Sequence, residues 1–333
     1  MLKESALKTL RESKNLLAFS AGGDSTALFF LLLDANIKFD IAIVNYNTRE
    51  QSKEEVMYAQ DLATKYNLNC YVFSGPKIKK NFEAKARELR YTFFEELITK
   101  HSYTSLLTAH HLGDRFEWML MQFCKGAGCV ELAGMKELEQ RDAYQLIRPL
   151  LHIDKPELLN YLRHNNIRYF EDVSNKDEKY LRNSFRHKYA KPLLDKHLVG
   201  IKKSFQYLDE DKELLAPNIK VYSYENIFYF KSSNTKRGDI SCIDTQLKKQ
   251  GHLITSSEKE LLKQRSTLVL GRKYLVSKLK DFILIVAFEK LNIAMSKEFK
   301  EECRTLEIDS KLRPFLYTHT KVFQKIKELL ANS

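Results

Sequence analysis

Cysteine is sparse and unpaired in this chain. Five cysteines (Cys70, Cys124, Cys129, Cys242 and Cys303) are scattered over 333 residues, with no Cys-x-x-Cys pair. An odd, scattered set excludes a disulfide ladder. Cys124 and Cys129 read as packing residues rather than metal ligands. Long apolar runs are missing as well. The longest, Phe282 to Phe288, falls far short of the roughly 20 residues a spanning helix needs, so it reads as a core strand. The start, Met1-Leu2-Lys3-Glu4-Ser5, has no apolar signal segment, which places the expected location in the cytoplasm. Internal repeats and low-complexity tracts are absent. What remains is a chain long enough for two or three domains and 44% hydrophobic, enough for a sizeable core. Its formal charge of +12 favours a polyanionic partner, nucleic acid first.

The most informative stretch is Leu16-Leu17-Ala18-Phe19-Ser20-Ala21-Gly22-Gly23-Asp24-Ser25-Thr26. It reads as a buried strand, a tight loop of small residues and the start of a helix. Two glycines let backbone approach a ligand, and the helix start adds N–H groups and a positive dipole end, which suits phosphate. No Gly-Lys-Ser/Thr closes the loop, and Gly-x-Gly-x-x-Gly is not present, so neither the Walker nor the dinucleotide pattern applies. Ser20, Gly22, Asp24 and Ser25 resemble the Ser-Gly-Gly-x-Asp-Ser loop of the PP-loop ATP pyrophosphatases. Ala21 stands where that family has its first glycine, and its methyl group calls for an ordinary backbone conformation or a little more room. The resemblance implies ATP bound by Ser20, Ala21, Gly22, Gly23, Asp24 and Ser25, and cleavage to AMP and pyrophosphate.

Strands and helices then alternate. Asp40–Asn45, Asn69–Phe73 and Ser105–Ala109 read as further strands, with a short one possible at Gln145–Ile147. Helices are expected at Ser52–Tyr66, through Phe82 to Leu97, and at His111–Lys125. This order predicts an α/β fold with a doubly wound parallel sheet and ligands at the carboxyl ends of its strands. After Arg148-Pro149 the chain becomes helical and polar, with helices at Lys155–Asn165, Tyr180–Leu194 and Ile201–Leu215. Alternation from Ile219 to Phe230 suggests a hairpin, and Val322–Leu330 an amphipathic helix. The expected organisation is a catalytic domain at 1–148, a helical region at 149–216 and a small basic α+β domain at 217–333. The aromatic group Tyr222, Tyr224, Phe228, Tyr229 and Phe230 reads as core of that small domain rather than an RNA-stacking surface.

Asp114 and Glu117 lie three apart and share a helix face at the end of the fourth strand. Two carboxylates there can hold Mg²⁺, host an ammonium group or accept a proton; an ordinary acidic first turn is the alternative. The pair His110-His111 reads as satisfied strand-end residues, since zinc would want further partners. Arg182 and Arg186, four apart, fall on one helix face and match phosphate geometry.

In order, Ala86-Arg87-Glu88-Leu89-Arg90-Tyr91, His110-His111-Leu112-Gly113-Asp114-Arg115-Phe116-Glu117, Lys125-Gly126-Ala127-Gly128, Arg148-Pro149-Leu150-Leu151, Asp172-Val173-Ser174-Asn175 and Arg182-Asn183-Ser184-Phe185-Arg186 resemble motifs of the tRNA(Ile)-lysidine synthetases. The likeness runs from residue 16 to about 195. Trp118 replaces a threonine of that family, and Tyr46 stands where it has a histidine, available to stack on adenine. The resemblance implies ligation of lysine to the wobble cytidine of an isoleucine tRNA with a CAU anticodon, through an adenylated base. It implies ATP and Mg²⁺ as cofactors, with tRNA and L-lysine as partners and a possible homodimer. Asp24 would hold the metal, Asp114 and Glu117 the lysine, and Arg182 the phosphates. Arg49, Arg87, Arg90, Arg148, Arg182 and Arg186 are the candidate tRNA or phosphate contacts. A PP-loop tRNA thiolase stays an alternative, disfavoured by the missing Cys-x-x-Cys. So does a catalytically silent RNA-binding relative.

Overall fold

The computed structural model describes residues 1–46, 51–76, 78, 82–171, 181–215, 219–233 and 235–331. It divides into two compact units, Met1–Glu213 and Leu214–Ser333.

In the first unit, α1 (Glu4–Arg11), β1 (Asn15–Phe19), α2 (Gly23–Asp34), β2 (Phe39–Asn45), α3 (Gln51–Tyr66), β3 (Cys70–Ser74), α4 (Phe82–His101), β4 (Ser105–Leu107) and α5 (Leu112–Phe123) follow in sequence. Then come α6 (Cys129–Leu132), β5 (Leu138–Gln140), β6 (Gln145–Ile147), α7 (Lys155–His164), α8 (Leu181–Phe185) and α9 (Lys191–Leu215). The six strands form one sheet in the order β3-β2-β1-β4-β6-β5, parallel except for the edge strand β5. Its strands are apolar runs because helices cover both faces. Leu17 and Phe19 of β1 pack with Leu28, Phe29 and Leu32 of α2 on one side, whereas Leu16 packs with Phe94 and Leu97 of α4 on the other. Successive side chains of a strand point to opposite faces, so β1 serves both cores.

The chain leaves β1 toward β2 on one side and reaches β4 on the other. The strand order therefore reverses beside β1, which opens a crevice at the carboxyl ends of β1 and β4. Ser20 follows one of those ends and His110-His111 the other. Beyond α7, the expected helix at Tyr180–Leu194 is composite. The short α8 opens into a wide turn at Arg186–Ala190, continues as α9 and breaks regularity at His197.

The second unit contains β7 (Tyr222–Tyr224), β8 (Ile227–Lys231), α10 (Lys236–Lys249), α11 (Ser256–Gln264), β9 (Thr267–Leu270), β10 (Tyr274–Leu279), β11 (Phe282–Ala287), α12 (Lys297–Thr305), α13 (Arg313–Thr318) and α14 (Thr320–Ala331). Its sheet is antiparallel, ordered β7-β8-β11-β10-β9. Central β11 sends Leu284 and Val286 into the core under α12–α14, and Ile283 and Ile285 into the core under α10 and α11. The expected hairpin is β7–β8 and the expected C-terminal helix is α14. Phe230 and Tyr229 are buried, as a core reading requires, but Tyr222 is 44% exposed and stacks on Tyr229. All five cysteines are free, and Cys124 is exposed rather than packed. Among the described residues no helix is long and apolar enough to cross a membrane.

Candidate active site

The loop after β1 is knitted by its two serines. Ser25 Oγ accepts from Ser20 N (3.2 Å), lies 3.0 Å from Ser20 Oγ and donates to Gly22 O at 3.1 Å. Phe170 N donates to Ala21 O at 2.9 Å, so the segment following α7 buttresses the loop. A Cβ at Gly23 would stand 3.0 Å from Leu159 and 3.3 Å from Tyr169, which explains glycine there. Ala21 does not keep an ordinary conformation. Its φ is +58°, and the residue is completely buried. The methyl is accommodated in the left-handed region at a cost of about 1–2 kcal/mol, because the hydrogen bonds on either side fix the path. With the loop held this way, the first N–H groups of α2, which have no partner within the helix, face the crevice.

Asp24, in the first turn of α2, directs Oδ2 toward Lys155 Nζ (3.4 Å) and His111 Nε2 (3.8 Å). Its Oδ1 is buried with no hydrogen-bond partner among the described residues. An orphaned carboxylate oxygen beside a phosphate-binding loop fits Mg²⁺, a hard ion commonly held by one or two carboxylates and completed by phosphate oxygens and water. Among the described residues no group of three or more histidine, cysteine or acidic side chains is arranged for a metal.

Across the crevice, His111 caps α5. Its Nδ1 accepts from Gly113 N at 3.0 Å, and Asp114 Oδ2 accepts from His111 N at 3.1 Å, a reciprocal box. Because Nδ1 accepts, Nε2 carries the proton. That N–H faces Asp24 (3.8 Å) and Asp114 (3.7 Å), so one imidazole stands between the two carboxylates. Gly113 is needed because a Cβ there would meet the His111 ring at 2.7 Å. His110 is also fixed, by Thr108 Oγ1 at 2.9 Å. Burial pushes its pKa down to about 4, with nearby Asp114 opposing and Arg148, Arg182 and Arg87 reinforcing the shift.

Two arginines close the site. Arg182 Nη2 donates to Asp114 Oδ1 at 2.7 Å and its Nε to Glu117 Oε2 at 3.1 Å. Arg186 Nε donates to Glu117 Oε1 at 2.6 Å and its Nη2 to Glu117 Oε2 at 3.1 Å. Burial alone would raise the Asp114 pKa. His111, then Arg182 and His110, outweigh it and hold that carboxyl well below the usual range. Burial disfavours the Arg186 charge, but Glu117 and Asp114 outweigh that effect and raise its pKa.

The structure thus gathers Asp24, Asp114, Glu117, Arg182 and Arg186 in one place, with loop residues 20–25 on its border. Arg87 and Arg90 are exposed on α4. Arg148 is not a surface cation. It is 5% exposed, donating to Lys136 O and to Glu139, each at 2.8 Å, so it ties β6 to β5 rather than meeting a phosphate. Tyr46 is likewise committed elsewhere, with its hydroxyl donating to Ala86 O at 2.7 Å and its ring edge-on to Phe82. Arg49 and the Asp172–Asn175 motif lie outside the described residues. Lys155 and the bridging place of His111 were not foreseen. His111-x-x-Asp114 has capping-box spacing and was legible as such, whereas nothing local points from Lys155 to Asp24.

The profile of the PP-loop domain matches residues 2–193. Over 312 residues the chain is 42% identical to a tRNA(Ile)-lysidine synthase of Helicobacter pylori (strain ATCC 700392 / 26695), covering 93% of this chain and 91% of that protein. The chain belongs to the tRNA(Ile)-lysidine synthase family. The Campylobacter jejuni (strain RM1221) enzyme of that name is 41% identical over 319 residues, 96% of this chain and 97% of the relative. The Wolinella succinogenes one is 43% identical over 309 residues, 92% of this chain and 94% of the relative. Likeness therefore extends through the second unit, which the sequence motifs did not reach. Among solved structures, the U34-tRNA thiolase NcsA from Methanococcus maripaludis, with its [4Fe-4S] cluster, superposes with a TM-score of 0.51 at 17% identity. The match covers 64% of this chain and 76% of that one, a likeness of fold.

Proposed function

We propose that the chain ligates lysine to the wobble cytidine of an isoleucine tRNA with a CAU anticodon, in two steps at the carboxyl ends of β1 and β4. The observation that carries the reading is the charge cluster: two carboxylates and two guanidiniums beside a phosphate-binding loop, drawn from separate parts of the chain. In the first step the cytosine 2-oxygen attacks the α-phosphorus of ATP and pyrophosphate leaves. In the second, the lysine ε-amine attacks C2, AMP leaves and the amine loses a proton. Bound Mg²⁺ would neutralise phosphate charge, and Asp24 Oδ1 is the group to hold it.

The residues divide the work. Loop N–H groups meet the charge that develops on the phosphates. Asp114 and Glu117 host the lysine cation. The closed cluster is balanced, two anions against two cations, so a third cation enters only as a guanidinium leaves. Arg182, 45% exposed against 25% for Arg186, is the one that moves, from Asp114 to the ATP phosphates. With its pKa held low, Asp114 anchors the ammonium and is a weak base. The proton therefore passes to Glu117 once Arg182 has moved. Exposed Arg87 and Arg90, with the basic second unit, would hold the tRNA backbone.

The test is incorporation of labelled lysine into a CAU-anticodon isoleucine tRNA transcript. ATP-dependent label that disappears when the wobble cytidine becomes uridine is the expected result. ATP consumption without label removes lysine as nucleophile, and neither label nor ATP use identifies a silent binder.

A further inference from the structure

Trp118 is the chain's only tryptophan. Trp118 follows Glu117 on α5 and lies four residues after Asp114. It therefore continues the Asp114 face one turn along, with Cβ atoms about 5–6 Å apart. It is 45% exposed. One edge of the indole is nonetheless seated. A Cβ added at Gly134 would stand 3.0 Å from its Cδ1, so a side chain there would crowd the ring. Gly134 also has φ +65°, a conformation glycine adopts freely.

The turn under the ring is tied down twice. Ala133 O accepts from Arg115 Nε at 3.1 Å and Nη2 at 2.8 Å, and Gly134 O accepts from Lys212 Nζ at 3.1 Å. Lys136 is exposed, two residues beyond Gly134, and its charge is felt at Lys212. The result is an aromatic surface, open to solvent and seated by one edge on Gly134, with exposed Lys136 two residues beyond that glycine and Asp114 one helical turn away.

We propose that Trp118 is a stacking platform for the nucleobase next to the wobble cytidine in the single-stranded anticodon loop. The inference rests on the reading that the reacting cytidine is delivered to Asp114 and Glu117. A strand that presents one base there carries neighbouring bases on either side, and Trp118 stands one helical turn from Asp114 on the same face of α5. Single-stranded RNA is held by aromatic rings under its splayed bases and by cations along its phosphates, the combination found here in Trp118 and Lys136. Stacking the neighbour fixes the strand while the cytidine is turned toward ATP.

As the single tryptophan, Trp118 reports on itself. Its emission in the intact protein should be quenched saturably by an anticodon stem–loop RNA carrying the CAU loop. With full-length tRNA, Trp118→Ala should raise the tRNA KM roughly 5- to 150-fold, the range for losing one base–aromatic stack, and leave the ATP KM unchanged. Trp118→Phe should recover most of the loss. Two tRNAs, each abasic at one neighbour of the wobble cytidine, complete the cycle: with one of them the wild type and Trp118→Ala should become equal. Unchanged emission at RNA concentrations that saturate a gel-shift assay overturns the proposal. So does a Trp118→Ala penalty that persists on both abasic tRNAs. Absence of lysine attachment by the wild type would instead defeat the proposed function, whereas attachment with a silent Trp118 defeats this inference alone.

Discussion

The two units solve the burial of polar groups in opposite ways. In the second, partners are close in sequence. Asp239 accepts from Ser232 and Ser233, seven and six residues away, and Asp244 from Lys248 and Lys259, four and fifteen away. Thr267 and Ser277 meet at 2.9 Å as directly opposed residues of β9 and β10. In the first unit the site pairs span long separations: Glu117 with Arg182 across 65 residues, Asp114 with Arg182 across 68, and Asp24 with Lys155 across 131. Short-range pairs are what capping and turn formation require, and they hold a fold together. Charges brought from distant segments into a crevice carry a desolvation cost that capping does not explain, which makes the cluster a candidate for chemistry.

Separating the two roles by mutation should sharpen that contrast most. Asp24→Asn should lower kcat by about 10²–10³-fold, the loss typical of removing one preorganised electrostatic group, with little change in thermal unfolding. Asp244→Ala should do the reverse. It should cost about 1–3 kcal/mol of stability by breaking two charged hydrogen bonds and leave kcat at saturating tRNA unchanged. Steady-state kinetics beside thermal melts read both, and an exchange of the two phenotypes would dissolve the comparison.

A smaller effect concerns pH. The folded pKa of His110 lies near 4, below the usual histidine value of about 6.5. The unfolded chain therefore binds that proton more tightly, so stability is full above about pH 6.5 and falls as pH drops toward 4. Between pH 7.5 and pH 5 the loss should be about 2 kcal/mol, measured by urea unfolding, and His110→Gln should flatten it. Asp114 adds almost nothing between pH 7.5 and pH 5, because its carboxyl is ionised in both the folded and the unfolded chain there; its stabilisation is lost only below the unfolded value of about 3.8, as the folded carboxyl is held lower still. An unflattened slope in His110→Gln would move the pH sensitivity away from the crevice.

The smallest effect belongs to the loop. Ala21→Gly removes the cost of a left-handed alanine but adds chain entropy to the unfolded state, for a net gain below about 1 kcal/mol. A rise in Tm of about 1–2 °C is expected. A fall would show that packing of the buried methyl outweighs its backbone strain.

Much of the first unit was legible because its signals are local. A parallel strand covered on both faces is a short apolar run, its crossover helix repeats at helical spacing, and the loop between them needs small residues. Ser20–Ser25, the expected strands and the Asp114–Glu117 spacing all have this character. Most of the second unit was not legible. Its sheet is buried on both faces, which removes the alternation that identifies antiparallel strands. Only the β7–β8 hairpin, the Phe282–Phe288 run and α14 announced themselves, whereas β9, β10 and α10–α13 did not.

Most strands and crossover helices of the first unit and the small-residue loop after β1 follow from neighbours a few residues apart, whereas α1, α6 and the edge strand β5 carried no such signal. It took distant contacts to bury Arg148, to turn Ala21 left-handed, to bring Lys155 to Asp24 and to pair Arg182 with both Asp114 and Glu117. Those outcomes depend on segments tens of residues apart meeting where desolvation makes charge pairing strong, and no local pattern encodes such a meeting.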